Sequence, residues 1–258
     1  MDKLKDRKPY EELARSFENN SVFGHMHSYD LYRQWLEAVW SFLEAIRDPQ
    51  GFKERLDKYN RAQGEEFGRL LCVYTEAVEQ QPFQDILGEL FMRLDVNSVR
   101  SGQFMTPWNV AEMMARMQFS REHFEELVKE KGEVRVCDPA VGSGVMLLAF
   151  SKVVNDELGR AGVNKLRLYG TDIDERCVLM CRIQLRMNGL DSFGRIAGLI
   201  GCLSDKEQPG ETPHSTAGEP DKNINSAVVL PDLSEAVAIH NRERPSDEKH
   251  QTVQLTLF

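Results

Sequence analysis

The sequence has no strongly basic segment, no C-x-x-C cysteine pair and no apolar run of membrane length. Its 41 acidic and 32 basic residues give a net charge of −9. This balance excludes a protein that grips DNA phosphates by its overall charge, so a nucleic-acid role would need a local patch or a partner. The five cysteines predict neither a disulfide framework nor a metal site. With no apolar signal region, we expect a cytoplasmic protein without a membrane segment.

The chain divides into three parts by pattern. Residues 1–98 are predicted to be helical, because segments such as 29–46 and 65–80 carry apolar residues at spacings of three and four. Residues 99–203 alternate strand and helix patterns. Residues 204–258 start with a stretch rich in Pro, Gly, Ser and charge, which predicts a linker or surface loop, followed by a short strand or helix and a flexible tail.

One apolar stripe is predicted along the helix at 29–46. It contains Trp35, Val39, Phe42 and Ile46. The aromatic residues of this stripe are expected to pack against a neighbouring part of the protein rather than to bind a ligand.

The middle part is predicted to be an α/β, Rossmann-like domain. Short β-like runs occur at Val134–Cys137, Leu166–Thr171 and Arg195–Ile200. Helical patterns fill 143–158 and 175–188 between them, with Cys177 and Cys181 as core residues. This alternation is typical of a βαβαβ half of a doubly wound parallel sheet.

A ligand pocket is predicted in 134-VRVCDPAVGSGVMLLAF-150. Asp138 ends the first strand, and Gly142 and Gly144 make the turn into the helix. Glycines let backbone N–H groups approach a ligand, and the helix start favours a carboxylate or phosphate. A G-x-G turn alone is weak evidence, because many strand-to-helix turns contain one.

The second strand ends in 169-YGTDID-174, which puts Asp172 beside the first turn. An acidic residue there can accept hydrogen bonds from both hydroxyls of a ribose. Asp174 is predicted to cap the following helix. The alternative is that both aspartates only cap and bind no ligand.

The pattern favours S-adenosylmethionine over a dinucleotide. The dinucleotide fingerprint needs a third small residue where this chain has Leu147. Asp138 would also repel a pyrophosphate, whereas it could attract a ligand that carries a sulfonium and an ammonium group.

Two ordered motifs resemble those of adenine-N6 DNA methyltransferases. The segment 102-GQFMTP-107 is similar to the G-Q-F-F-T-P signature found in type I restriction-system modification subunits, and 138-DPAVGSG-144 is similar to their D-P-A-C-G-S-G. Asp172 matches the acidic residue of that family. The run 177–190 looks like a subgroup of small phage and mobile-element methylases, and the whole resemblance covers about residues 84–203.

The resemblance implies a set of cofactor-binding residues. Those on the methionine and adenine side would be Gln103, Phe104, Thr106 and Pro107. Those at the amino-acid end and the ribose would be Asp138, Gly142, Gly144 and Asp172. Thr106 and Pro107 would also suit a helix start, with Thr as the N-cap and Pro in the first turn. A further family position, normally Asp or Asn, corresponds to Cys202, a poor acceptor for the adenine amino group.

The catalytic loop of that family is not visible in this sequence. An N-P-P-(Tyr/Phe) loop there holds the flipped adenine, with acceptors for its amino protons and a ring that stacks on the base. No N-P-P-, D-P-P- or S-P-P-aromatic tetrapeptide occurs in this chain. The segment 227-AVVLPDL-233 offers Asp232 as a weak catalytic candidate without an aromatic residue.

The peptide 254-QLTLF-258 resembles the sequence by which bacterial replication proteins bind the sliding clamp. Within it, Leu257 and Phe258 would enter an apolar pocket and Gln254 would supply an orienting hydrogen bond, with Leu255 as a further partner-binding residue. A tail packed on its own domain is the alternative. Two functions therefore stay open: a DNA methyltransferase that acts with DNA and a partner subunit, or a catalytically degenerate relative that serves DNA machinery.

Overall fold

The structure is a computed structural model that describes residues 10–94, 105–190 and the backbone of 194–198. The helices before the sheet are α1 (Tyr10–Glu18), α2 (Ser28–Leu43), α3 (Pro49–Leu56), α4 (Arg61–Gln80), α5 (Ile86–Leu94), α6 (Trp108–Gln118) and α7 (Arg121–Lys131). The sheet region follows as β1 (Val134–Asp138), α8 (Val145–Val163), β2 (Leu166–Asp172), α9 (Glu175–Met187) and β3 (Gly194–Gly198).

The three strands form a parallel sheet in the order β1-β2-β3. Val134 pairs with Leu166 and Asp138 with Gly170, so β1 and β2 end close together. This arrangement confirms the predicted βαβαβ unit and the α/β, Rossmann-like fold class. Both strands are one residue longer than predicted, so Asp138 and Asp172 belong to the strands.

The helical region (α1–α5) has an aromatic core. Trp35 is fully buried and donates its indole N–H to the Phe67 carbonyl at 3.2 Å. Val39 and Phe42 are buried as predicted, but Ile46 is 75% exposed. Its assignment to the stripe was wrong, because α2 ends at Leu43 and the chain turns before it reaches Ile46.

The helical region packs against α9. The Arg186 guanidinium donates to Glu44 Oε1 and to the Leu43 carbonyl, both at 2.9 Å. The Phe83 N–H donates to Asn188 Oδ1 at 2.7 Å. Helices that the sequence assigns to a separate part thus touch the sheet region directly.

Helix α6 starts differently from the expectation. Pro107, not Thr106, is the N-cap residue, and no side chain caps the helix. Thr106 as N-cap was therefore wrong, because the Pro107 carbonyl already accepts the first helical bonds, from Val110 and Ala111 at 3.0 and 3.1 Å. Helix α6 packs against α8 through its buried residues Ala111 and Ala115.

Several expectations fall outside the described residues. They concern Gln103, Phe104, Cys202, the linker at 204–226, the segment 227–233 with Asp232, and the peptide 254–258. The divisions after residues 98 and 203 also stay predictions. Over the ranges that the structure describes, no helix combines the length and hydropathy that a membrane crossing needs.

Candidate functional site

The candidate site lies where β1 and β2 end. Because carboxyl ends of parallel strands share one edge of a sheet, Asp138 and Asp172 both lie at that edge, beside the glycine turn (residues 139–144). The Asp138 carboxylate accepts the Ala140 N–H at 3.0 Å and so starts the turn. The strand pairing therefore puts both aspartates next to the glycine turn, as the sequence predicts.

The glycine turn is fastened to β2. The Val141 N–H donates to the Thr171 carbonyl at 2.9 Å, and the Thr171 hydroxyl donates to the Pro139 carbonyl at 3.0 Å. Within the turn, the Gly144 N–H donates to the Val141 carbonyl at 2.8 Å. The turn therefore follows the end of β2 rather than standing free.

Both glycines of the turn are needed for their backbone conformation. Gly142 has φ 52° and Gly144 has φ 95°, in the left-handed region that L side chains disfavour. A Cβ on Gly144 would also lie 2.8 Å from Cys181 Sγ, closer than the two atoms can approach. A Cβ on Gly142 would lie 3.4 Å from Met105 Sδ, which brings the 105–107 segment next to the turn.

Asp172 accepts two backbone hydrogen bonds at the open edge. Its Oδ2 accepts the Gly142 N–H and its Oδ1 accepts the Asp174 N–H, each at 2.9 Å. A carboxylate oxygen has two lone pairs, so each oxygen can still accept a ligand hydroxyl. Asp174 caps α9 by accepting the Arg176 N–H at 2.9 Å, which confirms its predicted role.

Ile173 was missed by sequence reasoning. It lies between Asp172 and Asp174 in the chain, and its side chain is 78% exposed. An exposed large apolar side chain at the carboxyl edge of a sheet is a surface on which the ring of a ligand could pack. In the sequence, only its place between Asp172 and Asp174 pointed to a functional role for Ile173. The inward-outward alternation of strand residues does not predict such a role.

Asp85 was also missed. It precedes α5, is only 3% exposed, and accepts hydrogen bonds from Ser143 in the glycine turn, from Gln184 in α9 and from the Gly88 N–H. Burial raises the pKa of the Asp85 carboxyl above its ordinary value, although these three bonds oppose the rise. Asp85, Gly88, Ser143 and Gln184 thus form one group that is joined by hydrogen bonds.

The two cysteines of α9 are core residues, as predicted. Burial first, and then the Asp172 carboxylate, raise the pKa of Cys177 to about 12. Burial likewise raises the pKa of Cys181 well above its usual range. Both thiols therefore stay protonated at neutral pH and are not nucleophiles. Within 10–94 and 105–190, no three His, Cys, Asp or Glu side chains form a group that could hold a metal ion.

The remaining predicted site residues are only partly placed. Thr106 is half-buried and Pro107 is exposed at the start of α6. The structure brings together Asp138, Gly142, Gly144 and Asp172. The cofactor roles of all these residues stay predictions.

The sequence profile of the family described as N-6 DNA Methylase matches residues 82–216, just over half of the 258 residues. The match starts before Asp85 and spans α5, the glycine turn and the end of β2. No protein of curated function matches the chain.

Two solved structures are similar to the chain. One, described as a class I S-adenosylmethionine-dependent methyltransferase from Listeria monocytogenes, is 16% identical with a TM-score of 0.39, over 74% of this chain and 53% of that one. The other is a type I restriction-modification methyltransferase subunit from Streptococcus thermophilus, 14% identical with a TM-score of 0.31, over 80% and 53%. This chain thus spans about half the length of each structure.

Proposed function

The chain belongs to the N-6 DNA methylase family, and we propose that it binds S-adenosylmethionine at the carboxyl edge of its sheet for adenine-N6 methylation of DNA. The observation that carries this proposal is the pairing of Asp172 with the glycine turn through the Gly142 N–H. An acid at the end of the second strand, tied to a glycine-rich first turn, is the arrangement that accepts a ribose.

The residues at this edge suit the chemistry of S-adenosylmethionine. Asp172 keeps a lone pair on each oxygen for the two ribose hydroxyls. The exposed Ile173 side chain provides an apolar surface for the adenine ring. Asp138 and the glycine turn would hold the amino-acid end, where a carboxylate favours the cationic groups of this ligand. The bound cofactor supplies a methyl group on its sulfonium.

A dinucleotide suits the site less well. Leu147 occupies the third small-residue position of the dinucleotide fingerprint and is buried in the core of the sheet region. Asp138 at the start of the turn places a negative charge where a pyrophosphate would lie. Both features favour the methyl donor.

Methyl transfer would need DNA and a group that holds the flipped adenine. The weak candidate for that group, Asp232, lies outside the described residues. DNA and a partner subunit are proposed as partners because the chain belongs to a DNA methylase family and resembles modification subunits. Binding of the peptide 254–258 to a sliding clamp stays a prediction from its sequence.

A second candidate is a family member that binds the cofactor and assists DNA machinery without transferring methyl. One sequence observation favours it: no two prolines are adjacent anywhere in the chain, so the N-P-P-aromatic loop cannot be formed from it. The cofactor site would be the same in both candidates. They differ only in transfer to DNA.

Calorimetric titration of S-adenosylmethionine tests the cofactor site. Wild type should bind, Asp172→Ala should lose binding, and Asp156→Ala should bind like wild type, because Asp156 lies on the outer surface of α8 with Arg116 and Lys152. Folded wild-type protein that does not bind would contradict the cofactor proposal for this chain.

Transfer of a labelled methyl group to unmethylated DNA separates the two candidates. Label in adenine N6 that disappears with Asp172→Ala supports the enzyme. Binding without transfer, at cofactor concentrations that saturate the protein, supports the accessory role.

A further inference from the structure

We propose that Asp85 is a positioning residue that holds the glycine turn in the shape in which the Gly142 N–H meets Asp172. The helical region would then complete the cofactor site instead of being only its neighbour. For the identity of the ligand, this inference rests on the proposed function. The shape of the turn can be tested without any ligand.

The Asp85 carboxylate uses both oxygens. Oδ1 accepts the Gln184 amide at 2.7 Å and the Gly88 N–H at 3.0 Å, and Oδ2 accepts the Ser143 hydroxyl at 2.7 Å. The bond to Gly88 alone would satisfy a helix-capping role for α5. The bonds to Ser143 and Gln184 go beyond capping, because these residues belong to the turn and to α9.

Gln184 holds the same turn residue from a second side. Its amide nitrogen also donates to the Ser143 carbonyl at 2.9 Å, and its oxygen accepts the Leu87 N–H at 3.1 Å. Ser143 is therefore fixed at its hydroxyl and at its carbonyl. Its neighbours Gly142 and Gly144 are the residues with the greatest backbone freedom, so the turn needs such external bonds to keep one shape.

Gly88 shows how closely Asp85 approaches the turn. A Cβ at this position would lie 2.3 Å from Asp85 Oδ2 and 2.5 Å from Ser143 Oγ. A glycine inside a helix weakens it relative to alanine. The space that Gly88 leaves is occupied by the Asp85–Ser143 hydrogen bond, which explains a glycine in the first turn of α5.

Three variants test the positioning role. Ser143→Ala removes the turn's donor and leaves the cap of α5 intact. Asp85→Ala removes the acceptor of all three bonds. Asp85→Asn should be milder than Asp85→Ala, since its amide oxygen can accept from Gln184 and Gly88 while its NH2 group donates to the Ser143 hydroxyl.

Ser41→Ala is the matched control. The Ser41 hydroxyl is buried and donates to the Glu37 carbonyl at 2.7 Å within α2, so its removal leaves the bonds of Asp85, Ser143 and Gln184 in place. This variant loses a buried hydrogen bond, as Ser143→Ala does, so it shows what loss of stability alone would produce.

Hydrogen exchange of the ligand-free protein is the first readout. Ser143→Ala and Asp85→Ala should accelerate exchange of peptide 138–148 by roughly tenfold or more, whereas Ser41→Ala should leave that peptide unchanged. Equal acceleration in Ser41→Ala, or none in Ser143→Ala, would overturn the proposal.

Affinity for S-adenosylmethionine is the second readout, measured well below the melting temperature of each variant. Ser143→Ala should weaken binding by roughly tenfold and Asp85→Ala by more, while Ser41→Ala binds like wild type. Wild-type protein without affinity would contradict the proposed function, and the exchange of peptide 138–148 would still decide whether Asp85 positions the turn.

Discussion

The helical region and the glycine turn are fixed by different kinds of contact. In the helical region, Phe17 meets Tyr32 and Trp35 edge to face at ring-centre distances of 5.6 and 5.3 Å. In the turn, hydrogen bonds to Asp85 and Asp172 hold a backbone flanked by glycines. Aromatic packing contributes stability over a broad surface, whereas the hydrogen bonds define the position of single N–H groups. We therefore expect substitutions in the aromatic core to lower stability alone, and substitutions in the turn to lower both stability and ligand affinity.

Trp35→Ala should have the largest effect on stability. Removing this fully buried ring leaves a cavity, so the free energy of unfolding should fall by about 3–5 kcal/mol. Urea denaturation measures the change, and Trp40→Ala on the same helix is the control, because Trp40 is only half-buried. If both variants lost equal stability, the aromatic core would not be centred on Trp35.

Gly144→Ala should come next and should break the turn. The left-handed φ of 95° and the 2.8 Å approach to Cys181 Sγ should together lower the free energy of unfolding by roughly 2–4 kcal/mol. Gly132→Ala is the control, since Gly132 also has a left-handed φ of 76° but nothing within 4 Å of an added Cβ. Adding Cys181→Ala should recover part of the loss only in the Gly144 variant.

The sheet region was largely predictable because its signals are local. The strand and helix patterns from Val134 to Met187 repeat over a few residues, and Asp172 follows its strand directly. Asp174 could likewise be assigned as a cap from its place before Glu175. In each case, neighbouring residues in the chain carry the information.

The errors and omissions came from contacts that the chain makes over a distance. Asp85 lies 58 residues before Ser143, so no local pattern indicates their hydrogen bond. The apolar spacing that included Ile46 continues past the end of α2, because the chain turns at a point that spacing does not encode. Docking of the helical region on α9 therefore had no signature in the sequence.

Two tyrosines in the helical region should respond in opposite directions. The Tyr74 hydroxyl is buried and has no hydrogen-bond partner among the described residues, whereas the Tyr32 hydroxyl donates to the Leu87 carbonyl. Tyr74→Phe should raise the free energy of unfolding by up to about 1 kcal/mol, and Tyr32→Phe should lower it by about 1 kcal/mol. Denaturation of both variants under identical conditions checks the signs, and a loss in Tyr74→Phe would reveal an undetected partner for its hydroxyl.

Arg116→Ala should have the smallest effect. Arg116 pairs with Glu112 at 2.8 Å and with Asp156 at 3.3 Å, but its side chain is 48% exposed. Water and salt screen such pairs, so urea denaturation should show the smallest loss of stability among these variants, and that loss should shrink further in high salt. A large coupling energy in a double-mutant cycle of Arg116→Ala with Asp156→Ala, whose carboxylate lies on α8, would mean that ion pairs hold α6 on α8. The small expected value follows from the buried Ala111 face, which packs on α8 whether or not the surface charges are present.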